Sequence, residues 1–301
     1  MKKIFCILCA LIVLVSCGGG DKPESPSGTG RNDPVINTAE TSISATETET
    51  SADTTEPSVT ETTATETTET ETETAPITVP PEDDPVEGTV KPSVFMYHLI
   101  MEEPYSIYDG LFVRPSDFAA QLDSVVKSGA VSLFADEYRL TAKPSVVITF
   151  DDGYEDNYTT AFPMLKERGI KATIFLVTDL IGTPGYMTEA QIREMADSGL
   201  IRFGCHTKSH YDLSTLSEEQ VRYQLSESKR IIEELVGYEV VSMAYPTGGF
   251  NDLVVRVTSE MFDFAYTTKS PYNTPADNML TIPRYAVYRT SGAGFVGGVI
   301  R

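Results

Sequence analysis

The feature that most constrains the fold is the alternation of two kinds of segment after residue 91. Apolar runs of strand length, without strict alternation, are separated by segments with helical spacing. Such strands are buried on both faces, as in parallel sheets. The apolar runs are 94–97, 145–150, 172–177, 200–205 and 240–245, and the helical segments are 116–128, 157–168, 188–198 and 217–236, the last opened by an N-cap signal at Ser217 with Gln220. This order predicts an α/β fold with a parallel sheet or barrel, in which functional residues gather where strands end.

The first seventeen residues have the pattern of an export signal. Two lysines precede an apolar run, 4–15, which is too short to span a bilayer and is typical of a signal peptide. Cys17 follows this run and precedes three glycines, as in bacterial lipoprotein signals. We therefore expect removal of residues 1–16, a lipid on Cys17 and anchoring at the outer face of the cell membrane, on the cell surface or the periplasmic side. An ordinary secretory signal is the alternative.

Residues 17–91 form a linker rich in threonine and glutamate. Residues 18–91 contain 17 acidic and 3 basic side chains, so −14 of the net charge of −21 lies there. A segment of this composition cannot bury enough apolar surface to fold, and we expect it to be disordered. Residues 92–301 are enough for one domain. They have no basic surplus, so nucleic acid is excluded as a partner, and no protein partner is evident.

Two adjacent carboxylates follow the apolar run 145–150. Asp151 and Asp152 are followed by a glycine that frees the turn. Adjacent acids repel, and a metal ion is the usual remedy: one carboxylate binds it while the other stays free to accept a proton. The alternative is a solvated turn, which Asp-Asp-Gly forms more often when no strand precedes it.

Two of the three histidines of the chain, His206 and His210, follow another apolar run. Their four-residue separation is a metal-ligand spacing, although a pair of surface histidines is the alternative. Together with Asp152 they supply two nitrogens and one oxygen and leave a position open for water. This set suits catalytic zinc and tolerates cobalt, nickel or iron. The only cysteine beyond the export signal, Cys205, precedes His206, and we expect it to be a buried strand residue.

The two motifs together resemble those of the polysaccharide deacetylases, carbohydrate esterase family 4. The resemblance covers about residues 92–289, and supporting segments are 95–98, 118–122, 244–249 and 282–287. It implies a distorted (β/α) barrel, with Asp151 as the general base and with Asp152, His206 and His210 as the metal ligands. It also implies hydrolysis of N-acetyl groups.

His98 is the candidate proton donor for the leaving amine. Many members of the family use a histidine late in the chain, but no histidine follows His210 here. His98, after the first strand, resembles the tyrosine–histidine pair of the poly-N-acetylglucosamine deacetylases, and we predict that it is the general acid. A structural histidine is the alternative. We expect the backbone N–H groups of the turn formed by Tyr245, Thr247 and Gly248 to support the oxyanion.

The chain departs from the family pattern at the residue that orients the base. Ala244 stands where many relatives have an arginine. Arg284 is the candidate replacement, because a guanidinium can hold a carboxylate bidentately and keep it ionised. A surface salt bridge is the alternative.

Further aromatic and glycine patterns complete the prediction. Four tyrosines in expected loops are candidates for stacking on sugar rings, with packing as the alternative: Tyr105, Tyr108, Tyr154 and Tyr186. The segment 292–297 reads G-x-G-x-x-G, but only four residues follow it, so no helix and no acidic residue downstream can complete a dinucleotide site, and we predict a flexible end without a helix. The leading function is deacetylation of extracellular poly-N-acetylglucosamine, as in biofilm. The alternatives are peptidoglycan deacetylation, acetyl xylan esterase activity and non-catalytic carbohydrate binding.

Overall fold

The computed structural model describes residues 87–102, 110–272 and 278–300. The predicted signal peptide 1–16, Cys17 and most of the predicted linker 17–91 lie outside these residues. The end of that linker forms a strand, Glu87–Val90, so the folded part begins before the predicted boundary at residue 92. Val90 forms an antiparallel bridge with Thr141, whose hydroxyl donates to the Val90 carbonyl at 3.3 Å. Thr141 is distant along the chain, so local composition does not reveal this contact.

Strands and helices alternate through the described residues, as the sequence predicts. The strands are β1 (Glu87–Val90), β2 (Ser93–Tyr97), β3 (Leu99–Ile100), β4 (Phe112–Val113), β5 (Val131–Leu133), β6 (Ser145–Phe150), β7 (Ala172–Leu176), β8 (Ile201–Cys205), β9 (Ser242–Ala244), β10 (Phe264–Tyr266) and β11 (Tyr285–Ala286). The helices are α1 (Pro115–Ser128), α2 (Phe162–Arg168), α3 (Glu189–Asp197), α4 (Glu218–Val236), α5 (Asp252–Thr258) and α6 (Phe295–Val299). A π-helical turn, Asn157–Ala161, leads into α2.

The main sheet is parallel and has the order β10-β9-β8-β7-β6-β2-β11. β5 pairs with the first half of β6, and β7 pairs with the second half on the same side. All six residues of β6 are buried, which explains its unbroken apolar sequence. The sheet with its surrounding helices is an open, distorted (β/α) barrel, and the predicted fold class is confirmed. The carboxyl ends of its strands therefore meet at one rim.

The helices present one apolar face to the sheet. The buried residues of α1 include Phe118, Leu122 and Val125, which share one side of a helix. α4 begins with the predicted capping box, in which the Ser217 amide donates to Gln220 Oε1 at 2.9 Å and the Gln220 amide donates to Ser217 Oγ at 3.3 Å. This fixes where α4 starts beside the strand that precedes His206.

The prediction of a flexible end without a helix is wrong. Residues Phe295–Val299 form α6, and Val296 and Val299 are buried against the core. These two apolar residues lie on one side of the turn, and α1 supplies the surface that covers them. Cys205, in β8, is buried as predicted. Within the described ranges no helix is both long and apolar enough to cross a membrane.

Candidate metal and catalytic site

Four of the predicted site residues lie at the carboxyl ends of three parallel strands of the main sheet, of which β2 and β6 are adjacent. His98 follows β2, Asp151 and Asp152 follow β6, and His206 follows β8. Tyr97 is paired with Phe150 in the register of β2 and β6, and the Asp151 amide donates to the Tyr97 carbonyl at 3.0 Å. The parallel register thus brings His98 and Asp151, which are far apart in sequence, to the same rim.

Asp152, His206 and His210 form a compact group of possible metal ligands. One ligand atom of each lies within 4.8 Å of the others. Asp152 Oδ1 lies 3.5 Å from His206 Nε2 and 3.3 Å from His210 Nε2, and the two imidazole rings have their centroids 5.0 Å apart. Two imidazole nitrogens and a carboxylate oxygen converging on one point are the donor set of an open catalytic zinc site.

The second nitrogen of His206 is held by the backbone. Nδ1 lies 2.8 Å from the Ala244 carbonyl oxygen, which can only accept, so the proton is on Nδ1 and the lone pair of Nε2 points to Asp152 and His210. Burial lowers the pKa of His206, against the opposing charges of Asp151 and Asp152. A neutral imidazole is the form that binds a metal, so these residues fit a divalent cation.

Backbone strain is concentrated at this site. The four non-glycine residues with positive φ among the described residues are Asp152 (73°), Thr207 (67°), His210 (57°) and Thr247 (56°). Left-handed conformations are unfavourable for such residues and persist where surrounding structure enforces them. The His210 amide donates to Thr207 Oγ1 at 3.0 Å, which closes the tight loop that turns His210 back toward His206. Two of the four strained residues are metal-ligand candidates.

Arg284 forms a bidentate ion pair with Asp151. Its Nη1 and Nη2 each lie 2.7 Å from one carboxylate oxygen of Asp151, and both side chains are almost completely buried, with exposures of 0% and 2%. Nε donates to the Thr267 carbonyl and Nη1 donates to Thr149 Oγ1, both at 3.1 Å. Burial alone would raise the pKa of Asp151, but Arg284 outweighs it and holds that pKa well below its usual range. Arg284 therefore has the predicted contact rather than a surface salt bridge.

The backbone from the His98 carbonyl to Ile100 is held by the segment after Asp152. Asn157 Nδ2 donates to the His98 carbonyl at 2.8 Å, and the Ile100 amide donates to Asp156 Oδ2 at 2.6 Å. Burial raises the pKa of Asp156 to about 7. Burial also lowers the pKa of His98, and the charges of Asp151 and Asp152 oppose this. His98 thus lies within electrostatic reach of both carboxylates.

The turn after β9 offers fewer free N–H groups than the sequence suggests. The Tyr245 amide donates to the Tyr266 carbonyl and the Gly248 amide donates to the Tyr245 carbonyl, at 3.0 and 3.1 Å. Because these two amides already donate hydrogen bonds within the protein, fewer of the predicted N–H groups are available to an oxyanion. For Thr247, which is exposed and has positive φ, no acceptor of the amide is seen among the described residues.

Of the four predicted sugar-stacking tyrosines, the two that the structure describes pack on each other. Tyr154 is buried and its ring stacks on Tyr186 with centroids 5.0 Å apart, while Tyr105 and Tyr108 lie outside the described residues. Two other tyrosines, Tyr211 and Tyr223, are more than half exposed. Sequence reasoning missed both, although Tyr211 directly follows His210, and that adjacency was the available signal.

The fold and the site define the class of protein: an open (β/α) barrel that carries an Asp-His-His metal-ligand group and a buried, arginine-paired carboxylate at the strand ends. Residues 139–262 match the family model described as polysaccharide deacetylase. This part of the chain thus matches the polysaccharide deacetylase family, as the two sequence motifs predict.

Individual relatives agree with this assignment. YxkH of Bacillus subtilis (strain 168), provisionally named a polysaccharide deacetylase, is 34% identical over 181 residues, which are 58% of this chain and 63% of the relative. The poly-beta-1,6-N-acetyl-D-glucosamine N-deacetylase of Staphylococcus aureus (strain MRSA252) is 28% identical over 159 residues, 48% of this chain and 55% of the relative. The chain thus spans less than two thirds of the length of each of these relatives.

Solved structures show the same fold. A polysaccharide deacetylase from Bacillus cereus has a TM-score of 0.63 and 28% identity, over 70% of this chain and 69% of that chain. IcaB from Ammonifex degensii has a TM-score of 0.58 and 25% identity, over 70% of this chain and 98% of that chain.

Proposed function

We propose that this protein hydrolyses the N-acetyl groups of extracellular poly-N-acetylglucosamine in a metal-dependent reaction. The observation that carries the proposal is the pairing of two features at one rim. An Asp-His-His group fit for a metal lies beside Asp151, a separate carboxylate kept ionised by Arg284. A carbohydrate-binding protein without activity would need neither. The similarity to the Staphylococcus aureus poly-beta-1,6-N-acetyl-D-glucosamine N-deacetylase supports the choice of polymer.

Asp152, His206 and His210 would hold the metal, with zinc as the first choice and with cobalt, nickel or iron compatible with the same donors. When bound, a divalent cation polarises the acetamide carbonyl and acidifies a water molecule. Asp151 would accept a proton from the water that attacks the acyl carbon, and the C–N bond to the amine then breaks. Its carboxylate is charged throughout the neutral range because the pKa is held low, and Arg284 fixes both of its oxygens. The exposed Thr247 amide supports the oxyanion of the acyl carbon.

The departing amine needs a proton, and His98 supplies it. Only protonated His98 can act as the acid, and burial lowers its pKa. The fraction of His98 that carries the proton therefore decreases as the pH rises through this lowered pKa. The rate should decrease on the alkaline side at a lower pH than an unperturbed histidine would give.

The cell-surface part of the proposal rests on the sequence before residue 18. Removal of residues 1–16 and lipidation of Cys17 would anchor the protein at the outer face of the membrane, and the acidic linker would let the catalytic domain reach the polymer. Globomycin-type inhibition of lipoprotein signal cleavage should then leave the full-length chain in the membrane fraction. A wild-type chain whose processing is unaffected by the inhibitor, and whose N-terminal peptide carries no lipid in mass spectrometry, would contradict lipidation at Cys17.

The activity is tested by acetate release. The full-length protein would be incubated with poly-β-1,6-N-acetylglucosamine, chitooligosaccharide, peptidoglycan and acetyl xylan, before and after chelation and zinc restoration. We expect chelator-sensitive release from the first polymer, and loss of that release in Asp151→Asn with the bound zinc unchanged. Release only from peptidoglycan or acetyl xylan would contradict the substrate class. Polymer binding without release from any substrate would contradict hydrolysis and identify a binding protein.

A further inference from the structure

A second concave surface begins one residue beyond His210. It has a volume of about 630 Å³, within the range of roughly 300–1,000 Å³ for small-ligand pockets. None of the metal-ligand candidates lines it. The lining residues, which we call the Tyr211–Tyr223 groove, are Tyr211, Leu216, Ser217, Glu219, Gln220, Tyr223 and Gln224.

The side chains of this groove have the chemistry of a carbohydrate subsite. Tyr211 and Tyr223 are 56% and 54% exposed, so two aromatic rings with hydroxyl tips face solvent in one groove. A sugar ring has an apolar face of C–H groups and a polar rim, and an aromatic ring with neighbouring amides and hydroxyls is complementary to both. The chain has no tryptophan, so tyrosine is its largest aromatic residue for this purpose.

The charge of the groove selects among sugars. Its lining contains one carboxylate, Glu219, and no lysine or arginine. Lys208, nearby in sequence, is paired with Asp179. Phosphorylated or uronic acid units would meet no cation here, whereas a neutral N-acetylglucosamine unit or a deacetylated, cationic glucosamine unit would be accepted.

Gln224 connects the groove to the loop that carries His210. The Ser209 amide donates to Gln224 Oε1 at 2.8 Å, and Gln224 Nε2 donates to Ser209 Oγ at 3.3 Å. The Lys208 amide also donates to the Gln224 carbonyl, at 3.1 Å. Gln224 is buried and belongs to α4. The groove and the metal-ligand loop are therefore held in one fixed arrangement, as a subsite that positions a chain for reaction requires.

We infer that the Tyr211–Tyr223 groove is a subsite for an aminosugar unit of the substrate chain, neighbouring the unit whose acetyl group is removed. This inference rests on the proposed function. It implies that the enzyme acts on polymers in preference to short fragments, because only a chain longer than the reacting unit can occupy both places.

The test compares a β-1,6-linked hexamer of N-acetylglucosamine with the single unit, methyl β-N-acetylglucosaminide, which cannot occupy both places. In Tyr211→Ala and Tyr223→Ala we expect KM for the hexamer to rise roughly threefold to tenfold, the size of one aromatic contact, with kcat for the hexamer and all constants for the single unit unchanged. Tyr211→Phe and Tyr223→Phe keep the ring and serve as matched controls that should retain a hexamer KM close to that of the wild type. Bound zinc and the thermal midpoint, measured for each variant, report damage to the adjacent His210 loop.

The outcomes separate this inference from the proposed function. Unchanged hexamer KM in both alanine variants would overturn the subsite while hydrolysis stands. An equal rise for the single unit and the hexamer would also overturn it, since it would show an effect on the reacting unit. A wild-type protein that releases no acetate from the hexamer or the single unit would refute the proposed function. In that case, calorimetry of hexamer binding still tests the subsite. Loss of binding in the alanine variants would support the subsite, and unchanged binding would contradict it.

Discussion

Replacement of Arg284 by methionine should produce a pH-dependent loss of stability. Arg284 and Asp151 are buried, and the guanidinium makes four hydrogen bonds: two at 2.7 Å to Asp151 and two at 3.1 Å to Thr149 and Thr267. Removing one partner of a buried ion pair destabilises a protein by about 3–5 kcal/mol, because the remaining charge is left without compensation. We expect a decrease of this size in the free energy of unfolding of metal-free Arg284→Met at pH 7.

The sign of the pH dependence follows from the pKa of Asp151. In the wild type this pKa is held below its ordinary value, so the ion pair contributes stability above a pH of about 4 and loses it as the pH falls through the lower folded-state pKa. In Arg284→Met, burial is opposed only by the weaker influence of His206 and His98, and the pKa of Asp151 should rise. The difference in stability between the two proteins should therefore increase from pH 4 to pH 7.

The assay is urea denaturation of chelated protein, followed by circular dichroism, at several pH values. Asp151→Asn/Arg284→Met is the matched control: it removes the buried charge, so it should recover part of the stability lost in Arg284→Met and show little of the added pH dependence. A loss below about 1 kcal/mol, as at an exposed pair, would refute the reasoning. So would a loss that is the same at pH 4 and pH 7.

Three other changes test the surroundings of the site. Asn157→Ala should lower kcat with bound zinc unchanged, because the His98 carbonyl loses its hydrogen-bond donor. An equally large decrease in kcat when Asn157→Ala is added to His98→Ala would show that Asn157 does not act through His98. Because the folded-state pKa of Asp156 is raised to about 7, the folded protein binds more protons than the unfolded chain between about pH 4 and 7, and stability should fall as the pH rises across this window, by up to about 4 kcal/mol. Asp156→Asn should remove that part of the slope in urea titrations at pH 5 and 8, and an unchanged slope would contradict the assignment. Gly204→Ala would place a Cβ 2.6 Å from a neighbouring aromatic ring and should lower the free energy of unfolding by about 1–3 kcal/mol. Gly298→Ala is the control, because a Cβ there has no neighbouring atom within 4 Å and should not lower the free energy of unfolding. Equal effects of the two substitutions would count against the packing argument.

Local patterns were sufficient for some elements of the fold. The run at 145–150 has six consecutive buried residues in the structure, and its lack of alternation is the direct consequence of burial on both faces. The N-cap at Ser217 was equally predictable, because a capping box involves residues only three positions apart. The segment 292–297 was interpreted wrongly, because its helix packs against α1. The local sequence of a segment does not show which distant element it will pack against.

The sequence by itself determined that Asp151, Asp152, His206 and His210 follow buried strands, and the parallel order of those strands was enough to predict that the residues meet at one rim. Tertiary structure decided what surrounds them. Arg284 reaches Asp151 across 133 positions of sequence, and its bidentate geometry exists only because β11 lies beside β2 in the sheet. The same is true of the groove beyond His210, whose two tyrosines share a surface because Gln224 ties α4 to the metal-ligand loop. Hydrophobic periodicity and strand ends depend on residues that are close in sequence, so they can be predicted from it. Contacts between distant segments form only when the whole core packs.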